Sequence, residues 1–595
     1  MLENHGGSMS QEQLQLLREE LRRQGVEAFL VPRADEYQNE YVPAADERLA
    51  WITGFTGSAG MAVIGLDKAA LFVDGRYTLQ GQQQLGDLPI ALEDLNNQVI
   101  AKWVGDQLSA GQSLGFDPRL HTEPGLVLLR EYLAERDIAL KPLEQNPIDT
   151  IWRDRPASPS GQACPHPYVF TGEHSNDKRQ RIATLLAEKR VDALWLPNPE
   201  SCAWLFNIRG DDIPHLPVAL SSGVLFRDGS AILYLAEQAV GEGLLEHLER
   251  EVMVVTEKGQ LFEGLRRRHV NRIWVDPAIS NCWTLQQLRA LDLQLLLERD
   301  PVTQAKACKN AVELAGSRAA HERDGAALCE FLAELPTAVE NGLDELAAVK
   351  LLYSKREERE GFRGNSFETI SGYGPNGAIV HYRVSPESSL KMSAEGIYLC
   401  DSGAQYPDGT TDVTRTVALG EIPALAREHF TRVLKGHIAI ATLRFPQGTC
   451  GEQIDAIARR SLWDVGLDYA HGTGHGVGSF LSVHEGPQRI GKAITNTPLQ
   501  PGMILSNEPG FYLTGQYGIR IENLVFVKES ADYPGFLQFE ELTLVPIDRE
   551  LIDIALLSSQ ERDWLNRYHQ RVREVVTPLV SEKTASWLQA ATEAL

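Results

Sequence analysis

The segment from His471 to Pro487, HGTGHGVGSFLSVHEGP, has a composition that suits chemistry better than core packing. It holds three histidines and five glycines in seventeen residues, although the whole chain has only 15 histidines. Glycines let the backbone approach other groups closely or take positive φ, so they hold histidines on a constrained path instead of a helix. Their spacing does not give the GxGxxG pattern of a dinucleotide loop. We therefore predict a functional site here, while any single histidine has the alternative of being a hydrogen-bonded core residue.

Two carboxylates lie eleven residues apart in IYLCDSGAQYPDGTTDVTRTVAL, residues 397–419. The pattern predicts an apolar strand that ends at Asp401, a Gly/Pro/Asp turn, and a Thr/Val-rich strand that carries Asp412. On such a hairpin the two acids can face one point. Taken alone the signal is weak, because acids beside a turn are usually solvated and Asp408-Gly409 is ordinary turn chemistry.

Two further acids lie in apolar surroundings. Glu508 follows an apolar strand and precedes a Pro-Gly turn in MILSNEPGFY, and Glu522 lies within the β-prone YGIRIENLVFV. An unpaired acid among apolar side chains is costly unless a cation or a proton compensates its charge. Arg520, two residues before Glu522 and so predicted on the same strand face, supplies part of that compensation. A metal ion would supply it more fully.

Together these residues form an oxygen-rich set with a single nitrogen: Asp401, Asp412, His475, Glu508 and Glu522. Such a set suits Mn²⁺, Co²⁺ or Zn²⁺ better than a metal that prefers thiolates. Four carboxylates carry a charge of roughly −4, which two divalent ions neutralise while leaving room for a bridging hydroxide. The set therefore favours a two-metal hydrolase.

A competing motif, Gly111-Gln112-Ser113-Leu114-Gly115, matches the GxSxG elbow of serine hydrolases. That elbow needs a strand before the serine and a helix after it. In this chain a helical pattern over 99–108 comes before the motif and an extended segment follows it. We therefore predict that Ser113 is a turn residue without a catalytic role.

The first half of the chain contains a weak internal repeat of one α/β unit. A helical leucine pattern over 14–21 precedes the apolar VEAFLVP (26–32), and a similar pattern over 182–186 precedes VDALWLP (191–197). An Ala-Trp pair follows each of them, in LAWITGF and in CAWLFNIRG. We interpret this as a duplication, with chance resemblance of two helix–strand pairs as the alternative.

Changes in composition divide the chain into three predicted domains. Residues 148–167 are rich in Pro, Ser and Gly and lack periodicity, which is typical of a linker. Residues 303–339 keep a helical period and open the region that holds the motifs described above. We predict domains at 9–150, 151–302 and 303–595, with Met9 as an alternative start to Met1.

Composition and charge limit the function classes. The chain has 595 residues, of which 43% are hydrophobic and 23% charged, as in ordinary globular proteins. Its formal charge of −24 opposes binding to nucleic acid and to anionic membranes. Seven cysteines without a CxxC pair indicate neither a disulfide framework nor a zinc ribbon. With no signal peptide and no long apolar run, we expect a cytoplasmic protein that does not span a membrane.

In order and spacing, these motifs resemble those of the pita-bread metallopeptidases. Within that family the chain is most similar to the large three-domain aminopeptidase P group of the cytosolic type, in PNGAIVHY (375–382) and in the glycine- and histidine-rich segment. NEYVPAADERLAWITGFTGSAG (39–60) and VDGRYTLQ (73–80) extend the resemblance over nearly the whole chain. It implies an α/β (α+β) fold of two creatinase-N-like α/β domains followed by a pita-bread catalytic domain.

The resemblance also implies roles for individual residues. Asp401 would bind one metal, and Asp412 and Glu522 would bridge two metals. His475 and Glu508 would complete the coordination shells on opposite sides of this pair. Glu508 would also manage the proton of a bridging hydroxide. The non-ligand groups expected to line the substrate pocket are His381, His471, His484 and Arg520, with His381 and His484 taking part in the chemistry.

The implied activity is metal-dependent release of the N-terminal residue from peptides with proline in second position. The resemblance further implies a homodimer and two divalent ions, Mn²⁺ by availability with Zn²⁺ or Co²⁺ as alternatives. A prolidase that cuts Xaa-Pro dipeptides is a rival, although that group usually has one N-terminal domain. A non-catalytic peptide-binding relative is another, although such proteins typically lose metal ligands and all five candidates are present.

Overall fold

The computed structural model describes residues 11–595, so the candidate start at Met9 lies outside the described residues. The chain divides into two compact units. The first comprises residues up to 165 together with 174–214 and 218–302, and the second comprises 166–173, 215–217 and 303–595. Each unit has its own hydrophobic core.

The first unit begins with an α/β domain whose leading helix packs Leu14, Leu17 and Leu21 into the core. Its elements are α1 (Gln11–Gln24), β1 (Ala28–Pro32), α2 (Arg48–Thr53), β2 (Met61–Gly65), β3 (Ala69–Val73), α3 (Thr78–Leu85), β4 (Ala91–Asp94), α4 (Asn97–Gln107), β5 (Ser113–Phe116), α5 (Glu123–Ala134), β6 (Ala139–Pro142) and α6 (Pro147–Ile151). The strands form one sheet in the order β4-β3-β2-β1-β5-β6.

A second α/β domain follows with the same arrangement. Its segment of the chain contains β7 (Cys164–Pro165), α7 (Tyr168–Thr171), α8 (Ser175–Glu188), β8 (Ala193–Leu196), α9 (Pro199–Leu205), β9 (Ile208–Arg209), β10 (Ser221–Phe226), β11 (Ala231–Leu235), α10 (Leu244–Leu248), β12 (Val252–Val255), α11 (Gly259–Arg267), β13 (Arg272–Val275), α12 (Cys282–Arg289) and β14 (Gln294–Leu297). The sheet order is β12-β11-β10-β8-β13-β14.

The two sheets share the pattern of parallel and antiparallel pairs as well as the strand order. In both, the first strand pairs antiparallel with the second and parallel with the fifth of the six. In both, the third and fourth strands run parallel. The predicted internal repeat is therefore confirmed at the level of topology.

Ser113 differs from its prediction, because it begins strand β5 instead of lying in a turn. The serine-elbow context is absent, as predicted, since helix α4 precedes the motif and a strand follows it. The hydroxyl of Ser113 donates to Oε2 of Glu27 at 3.2 Å. Its surroundings are therefore those of a paired strand residue.

The second unit carries the remaining elements. The helices are α13 (Pro301–Ala307), α14 (Ala311–Glu340), α15 (Glu345–Glu357), α16 (Ala426–Ala441), α17 (Asp455–Trp463), α18 (Ser559–Val576) and α19 (Glu582–Ala591). The strands are β15 (Gly364–Asn365), β16 (Ile370–Tyr373), β17 (Ile397–Ser402), β18 (Ala404–Tyr406), β19 (Gly409–Thr410), β20 (Val413–Ala418), β21 (Arg444–Pro446), β22 (Gly474–Gly476), β23 (Glu485–Ile490), β24 (Ile504–Asn507), β25 (Gly510–Leu513), β26 (Tyr517–Arg520), β27 (Asn523–Glu529) and β28 (Phe536–Glu541).

The long helical pattern predicted over 303–339 is interrupted in the structure. Helix α13 ends at Ala307, and α14 begins only after Asn310. The side chain of Asn310 accepts from the backbone of Glu313, whose carboxylate accepts in return from the backbone of Asn310. This capping box fixes the start of α14.

Two antiparallel sheets of the second unit contain or adjoin the five candidate metal ligands. One has the order β16-β17-β20, and the other has the order β21-β28-β27-β24-β22-β23. Helices α16 and α18 pack their apolar faces into the main core, through residues such as Phe430 and Trp564. Within residues 11–595, no helix combines the length and the apolar character needed to cross a membrane. No disulfide joins the seven cysteines, all of which lie in this described range.

Candidate metal centre

Asp401 and Asp412 are brought together by the pairing of β17 with β20. Asp401 lies within β17, opposite Thr414. Asp412 directly precedes β20, whose first residue, Val413, pairs with Ser402. The simple hairpin predicted from the sequence is wrong in one respect, because the short strands β18 and β19 fill the connection and Asp412 lies just outside a strand. Both side chains are buried.

Glu508 and Glu522 meet because β24 and β27 are antiparallel partners. Asn507, the last residue of β24, pairs with Asn523, the first residue of β27. Glu508 follows one of them and Glu522 precedes the other, so the two residues lie at the same end of the paired strands. The prediction that Glu522 lies inside a strand is wrong, since β26 ends at Arg520 and β27 starts at Asn523.

His475 lies in the short strand β22 and faces these acids. Its Nε2 is 3.4 Å from Oδ2 of Asp412 and 3.5 Å from Oε1 of Glu508. Its Nδ1 is 2.9 Å from the carbonyl oxygen of Gly476, which assigns a ring hydrogen to Nδ1 and leaves Nε2 as the ring atom that faces the carboxylates. This is the tautomer that a metal-binding histidine needs.

Burial shifts the pKa values of this cluster. It raises the pKa of Glu522 well above its usual value, and the charge of Asp412 raises it further. Burial also raises the pKa of Glu508, and it raises that of Asp401 to about 6 even though Arg520 lowers it. Arg520 and His475 therefore compensate only part of the negative charge of these acids.

The donor atoms of the cluster fit a divalent metal. Oδ1 of Asp401 and Oδ1 of Asp412 are buried and find no hydrogen-bond partner among residues 11–595. Asp412, His475 and Glu522 each place one ligand atom within 4.8 Å of the other two. Carboxylate oxygens with one imidazole nitrogen suit Mn²⁺, Co²⁺ or Zn²⁺. Glu508 joins this group through Nε2 of His475, and Asp401 interacts electrostatically with Asp412 and Glu508, so the five predicted residues lie around one common space.

Arg520 lies at the edge of this space and is 2% exposed. Its Nη2 donates to Oδ2 of Asp401 at 2.6 Å, and its Nε donates to Oγ1 of Thr414 at 3.2 Å. The same Thr414 hydroxyl donates to Oε2 of Glu522 at 2.7 Å. The sequence predicted Arg520 beside Glu522 on one strand face, whereas its direct carboxylate partner is Asp401.

Tyr512 was not singled out from the sequence, although it connects two residues that were. Its hydroxyl accepts from Nη1 of Arg520 at 2.6 Å and lies 2.8 Å from Nε2 of His471. Because Nδ1 of His471 lies 2.7 Å from the carbonyl oxygen of Gly472, Nε2 is the acceptor and Tyr512 donates to it. The β25–β26 hairpin, in which Gly510 pairs with Arg520, brings Tyr512 to Arg520, whereas its contact with His471 is 41 residues away in sequence and has no local signal.

The remaining two histidines occupy different positions. The ring of His484 lies 4.3 Å from that of His475 in an edge-to-face arrangement, which places it at the cluster. His381 lies in the loop after the 3₁₀ helix Gly374–Ala378 and is partly exposed. Its neighbour Tyr382 packs in one apolar group with Tyr512.

Comparison with known families agrees with this arrangement. Residues 315–529 match metallopeptidase family M24, and residues 535–595 match the C-terminal region of that family. Residues 13–146 and 154–313 each match the creatinase/prolidase N-terminal domain. The fold class predicted from the motifs, two creatinase-type domains followed by a pita-bread domain, is confirmed.

Individual relatives match over the full length. A probable Xaa-Pro aminopeptidase P from Coprinopsis cinerea is 41% identical, over 98% of this chain and 97% of its own. The structure of a cytosolic X-prolyl aminopeptidase with a di-nuclear active site, from Caenorhabditis elegans, is 32% identical with a TM-score of 0.93, over 98% of this chain and 99% of its own. An Xaa-Pro dipeptidase from Bacillus anthracis, 20% identical with a TM-score of 0.52, covers 63% of this chain and 99% of its own and shares the fold alone. This chain therefore belongs to metallopeptidase family M24, in the Xaa-Pro aminopeptidase P group that carries two creatinase-type N-terminal domains.

Proposed function

We propose that the chain is a metal-dependent aminopeptidase that releases the N-terminal residue from peptides with proline in second position. The observation that carries this proposal is the clustering of four carboxylates, three of them buried, around one imidazole, in a chain that matches Xaa-Pro aminopeptidases P over nearly its full length. The reaction is hydrolysis of the peptide bond before proline.

Asp401, Asp412, His475, Glu508 and Glu522 are the residues that would hold the metal. The oxygen-rich set and its charge of roughly −4 favour two divalent ions, with Mn²⁺ as the proposed metal and Zn²⁺ or Co²⁺ as alternatives. When bound, such ions supply a Lewis acid and activate a water molecule. No nucleophilic side chain is then required.

The protein side chains around the centre bind, orient and move protons. Glu508, held by the hydroxyl of Ser506 at 3.2 Å, is the proposed proton acceptor. His484, beside His475, is the proposed hydrogen-bond donor to the oxyanion that develops in the transition state, and such a donor contributes roughly 3–4 kcal/mol. His381 is the proposed second histidine of the chemistry.

His471 and Arg520 are proposed as the fixed wall of the substrate pocket. Both are buried and joined through Tyr512, so neither changes position without breaking a hydrogen bond. Proline suits such a rigid site, because its amide lacks N–H and its φ is fixed. A preorganised wall therefore replaces the backbone hydrogen bonds that other peptidases use.

We also propose domain boundaries near 150 and 302, a homodimer and a cytoplasmic location. The boundary near 150 is supported by the family matches, the one near 302 by the division between the two compact units, and the location by the description of the Caenorhabditis elegans enzyme. The dimer rests on the motif resemblance. The net charge of −24 supports the absence of nucleic acid and of anionic membranes among the partners.

Hydrolysis of three peptides, followed by mass spectrometry, tests the proposed function. Arg-Pro-Pro, Arg-Ala-Ala and the dipeptide Ala-Pro are incubated with chelator-treated protein, with and without added Mn²⁺. We expect release of Arg from Arg-Pro-Pro alone, restored by the metal. Cleavage of Ala-Pro alone would make the protein a prolidase, and no cleavage with any divalent metal would assign it a binding role.

A further inference from the structure

Glu345, the first residue of α15, accepts hydrogen bonds from four residues of a single loop. Its side chain is fully buried, at 0% exposure. The loop comprises residues 373–390. The donors and their distances to the carboxylate oxygens are Tyr373 N at 2.6 Å, Asn376 Nδ2 at 2.9 and 3.1 Å, the Tyr382 hydroxyl at 3.0 Å and Leu390 N at 2.9 Å.

These donors lie at both ends and in the middle of the loop. Tyr373 closes strand β16, while Leu390 lies seventeen residues further along the chain. The loop returns to the same carboxylate, so one side chain closes it. An ordered loop of this length loses considerable conformational entropy, and hydrogen bonds to a buried charged group are the strongest that neutral donors make.

The loop carries His381 and packs beside the candidate centre. Tyr382 forms an apolar group with Ile370, Leu399 and Tyr512, and Tyr512 contacts Arg520. His381 precedes Tyr382 directly. A hydrogen bond that holds the Tyr382 hydroxyl therefore limits where the neighbouring imidazole lies.

The three residues that bind Glu345 through N–H groups, Tyr373, Asn376 and Leu390, require an acceptor there. A glutamine would put an NH₂ group against backbone N–H or amide donors, so an isosteric change replaces attractions by unpaired donors. Burial raises the pKa of Glu345, which the surrounding hydrogen bonds oppose. The arrangement is thus specific for a carboxylate.

We propose that Glu345 is a positioning residue that closes the loop 373–390 and, through Tyr382, places His381 for catalysis. The kinetic part of this inference rests on the proposed function. The structural part, closure of the loop by one carboxylate, does not depend on it. The hydrogen-bond partners of the Glu345 carboxylate include none of the five proposed metal ligands.

Hydrogen–deuterium exchange tests the structural part without reference to activity. In Glu345→Gln, amides of the loop should lose protection while those of α16 keep theirs. The control is Asp344→Ala, which removes the N-cap of the same helix, where Asp344 accepts from Ala347 N, and leaves the Glu345 contacts in place. Unchanged loop protection in Glu345→Gln would overturn the proposal.

A double-mutant cycle with His381→Ala tests the kinetic part on Arg-Pro-Pro. Glu345→Gln should lower kcat about 10- to 100-fold, as for a misplaced catalytic group, with metal content and KM little changed. Tyr382→Phe should lower it less, since one donor is lost. In the His381→Ala background the effect of Glu345→Gln should vanish; its persistence there, or an unaltered kcat in His381→Ala, would overturn action through His381. A wild-type protein that hydrolyses no Xaa-Pro peptide would instead refute the proposed function.

Discussion

The ammonium group of Lys309 lies 2.6 Å from Oε1 of Glu485, and each of the two side chains is 1% exposed. Lys306 approaches Oε2 of the same carboxylate at 2.9 Å. Burial disfavours the ionised acid, but the charges of the two lysines outweigh it and hold the pKa of Glu485 below its usual value. Lys306 and Lys309 lie near the start of the main segment of the second unit, residues 303–595. Glu485 is the first residue of β23 and directly follows His484. The two ion pairs therefore join the start of this segment to a strand next to a proposed catalytic histidine.

Lys309→Met should destabilise the protein strongly. The change leaves a buried carboxylate with one cation fewer, and breaking a buried pair costs about 3–5 kcal/mol. The urea midpoint of the catalytic region should fall accordingly. The control is Lys528→Met, whose pair with Glu540 is 40% and 27% exposed and should be worth about 0–1 kcal/mol. Equal shifts for the two variants would contradict a special role for the buried pair.

Glu522→Gln should abolish binding at both proposed metal positions, because Glu522 is a proposed bridge and an amide carries no charge. The measurement is metal content by mass spectrometry after dialysis against Mn²⁺. Asp408→Asn is the matched control, since Asp408 lies between Asp401 and Asp412 in sequence but is paired with Arg323, and it should bind metal as the wild type does. Two tightly bound ions in Glu522→Gln would refute the bridging assignment.

His484→Ala should lower kcat with metal content unchanged. A positioned histidine that transfers or donates a proton contributes about 10²- to 10⁴-fold to the rate. The measurement is kcat for Arg-Pro-Pro, with metal analysis of the same sample. An unaltered rate would show that His484 has only a structural role.

Ser113→Ala should leave peptide hydrolysis unchanged. The oxygen acceptors of the Ser113 hydroxyl are Oε2 of Glu27 at 3.2 Å and the carbonyl of Gly25 at 3.5 Å, so no imidazole within residues 11–595 is hydrogen-bonded to it. The assay is run beside His484→Ala as a positive control. Loss of activity in this variant, or activity that resists a chelator, would instead support a serine hydrolase that uses Ser113 of the GxSxG motif.

The contribution of His569 to the free energy of unfolding should fall as the pH falls from about 6.5 towards 3. Burial, assisted by the charge of Arg415, lowers the pKa of His569 to about 3. In that pH window the unfolded chain binds a proton that the native chain does not, so acid favours unfolding. His569 accepts from the backbone N–H of Ile547 at 3.0 Å, which His569→Gln can preserve.

Urea unfolding of wild type and His569→Gln at pH 6.5 and pH 5 measures this contribution. The wild type should lose about 1.6 kcal/mol more than the variant over that interval, because the slope rises from about half of 1.4 kcal/mol per pH unit at pH 6.5 to nearly the full value at pH 5. Equal losses in the two proteins would assign the pH dependence to other groups.

Much of the centre follows from local sequence. The pairing of β17 with β20 was readable from apolar and Thr/Val-rich segments on either side of a turn, and the glycine spacing around His475 excluded a helix. The break before Glu522 was not readable, because YGIRIENLVFV is β-prone throughout. Its interruption depends on the backbone N–H of Glu522 donating to the carbonyl of Thr414, a partner more than a hundred residues away.

Residues that position others were the hardest to predict. Glu345 looks like an ordinary helix-start acid, since its partners lie 28 to 45 residues further along the chain. The role of Tyr512 depends on the side chain of Arg520 and on the tautomer of His471. Such side chains acquire their function only from tertiary packing, whereas metal ligands show themselves by residue type and order.

The chain leaves the two-stranded sheet after Arg520, at the end of β26, and enters the six-stranded sheet at Asn523, the start of β27. Glu522 lies in the short connection between the two sheets. Side chains alternate along a strand, so an insertion or deletion between Arg520 and Asn523 would turn the carboxylate away from the centre. The exposed turn at 531–535, by contrast, lies between β27 and β28 and can change length without altering this register. In this part of the chain, length variation among natural or engineered sequences should therefore be confined to the turn.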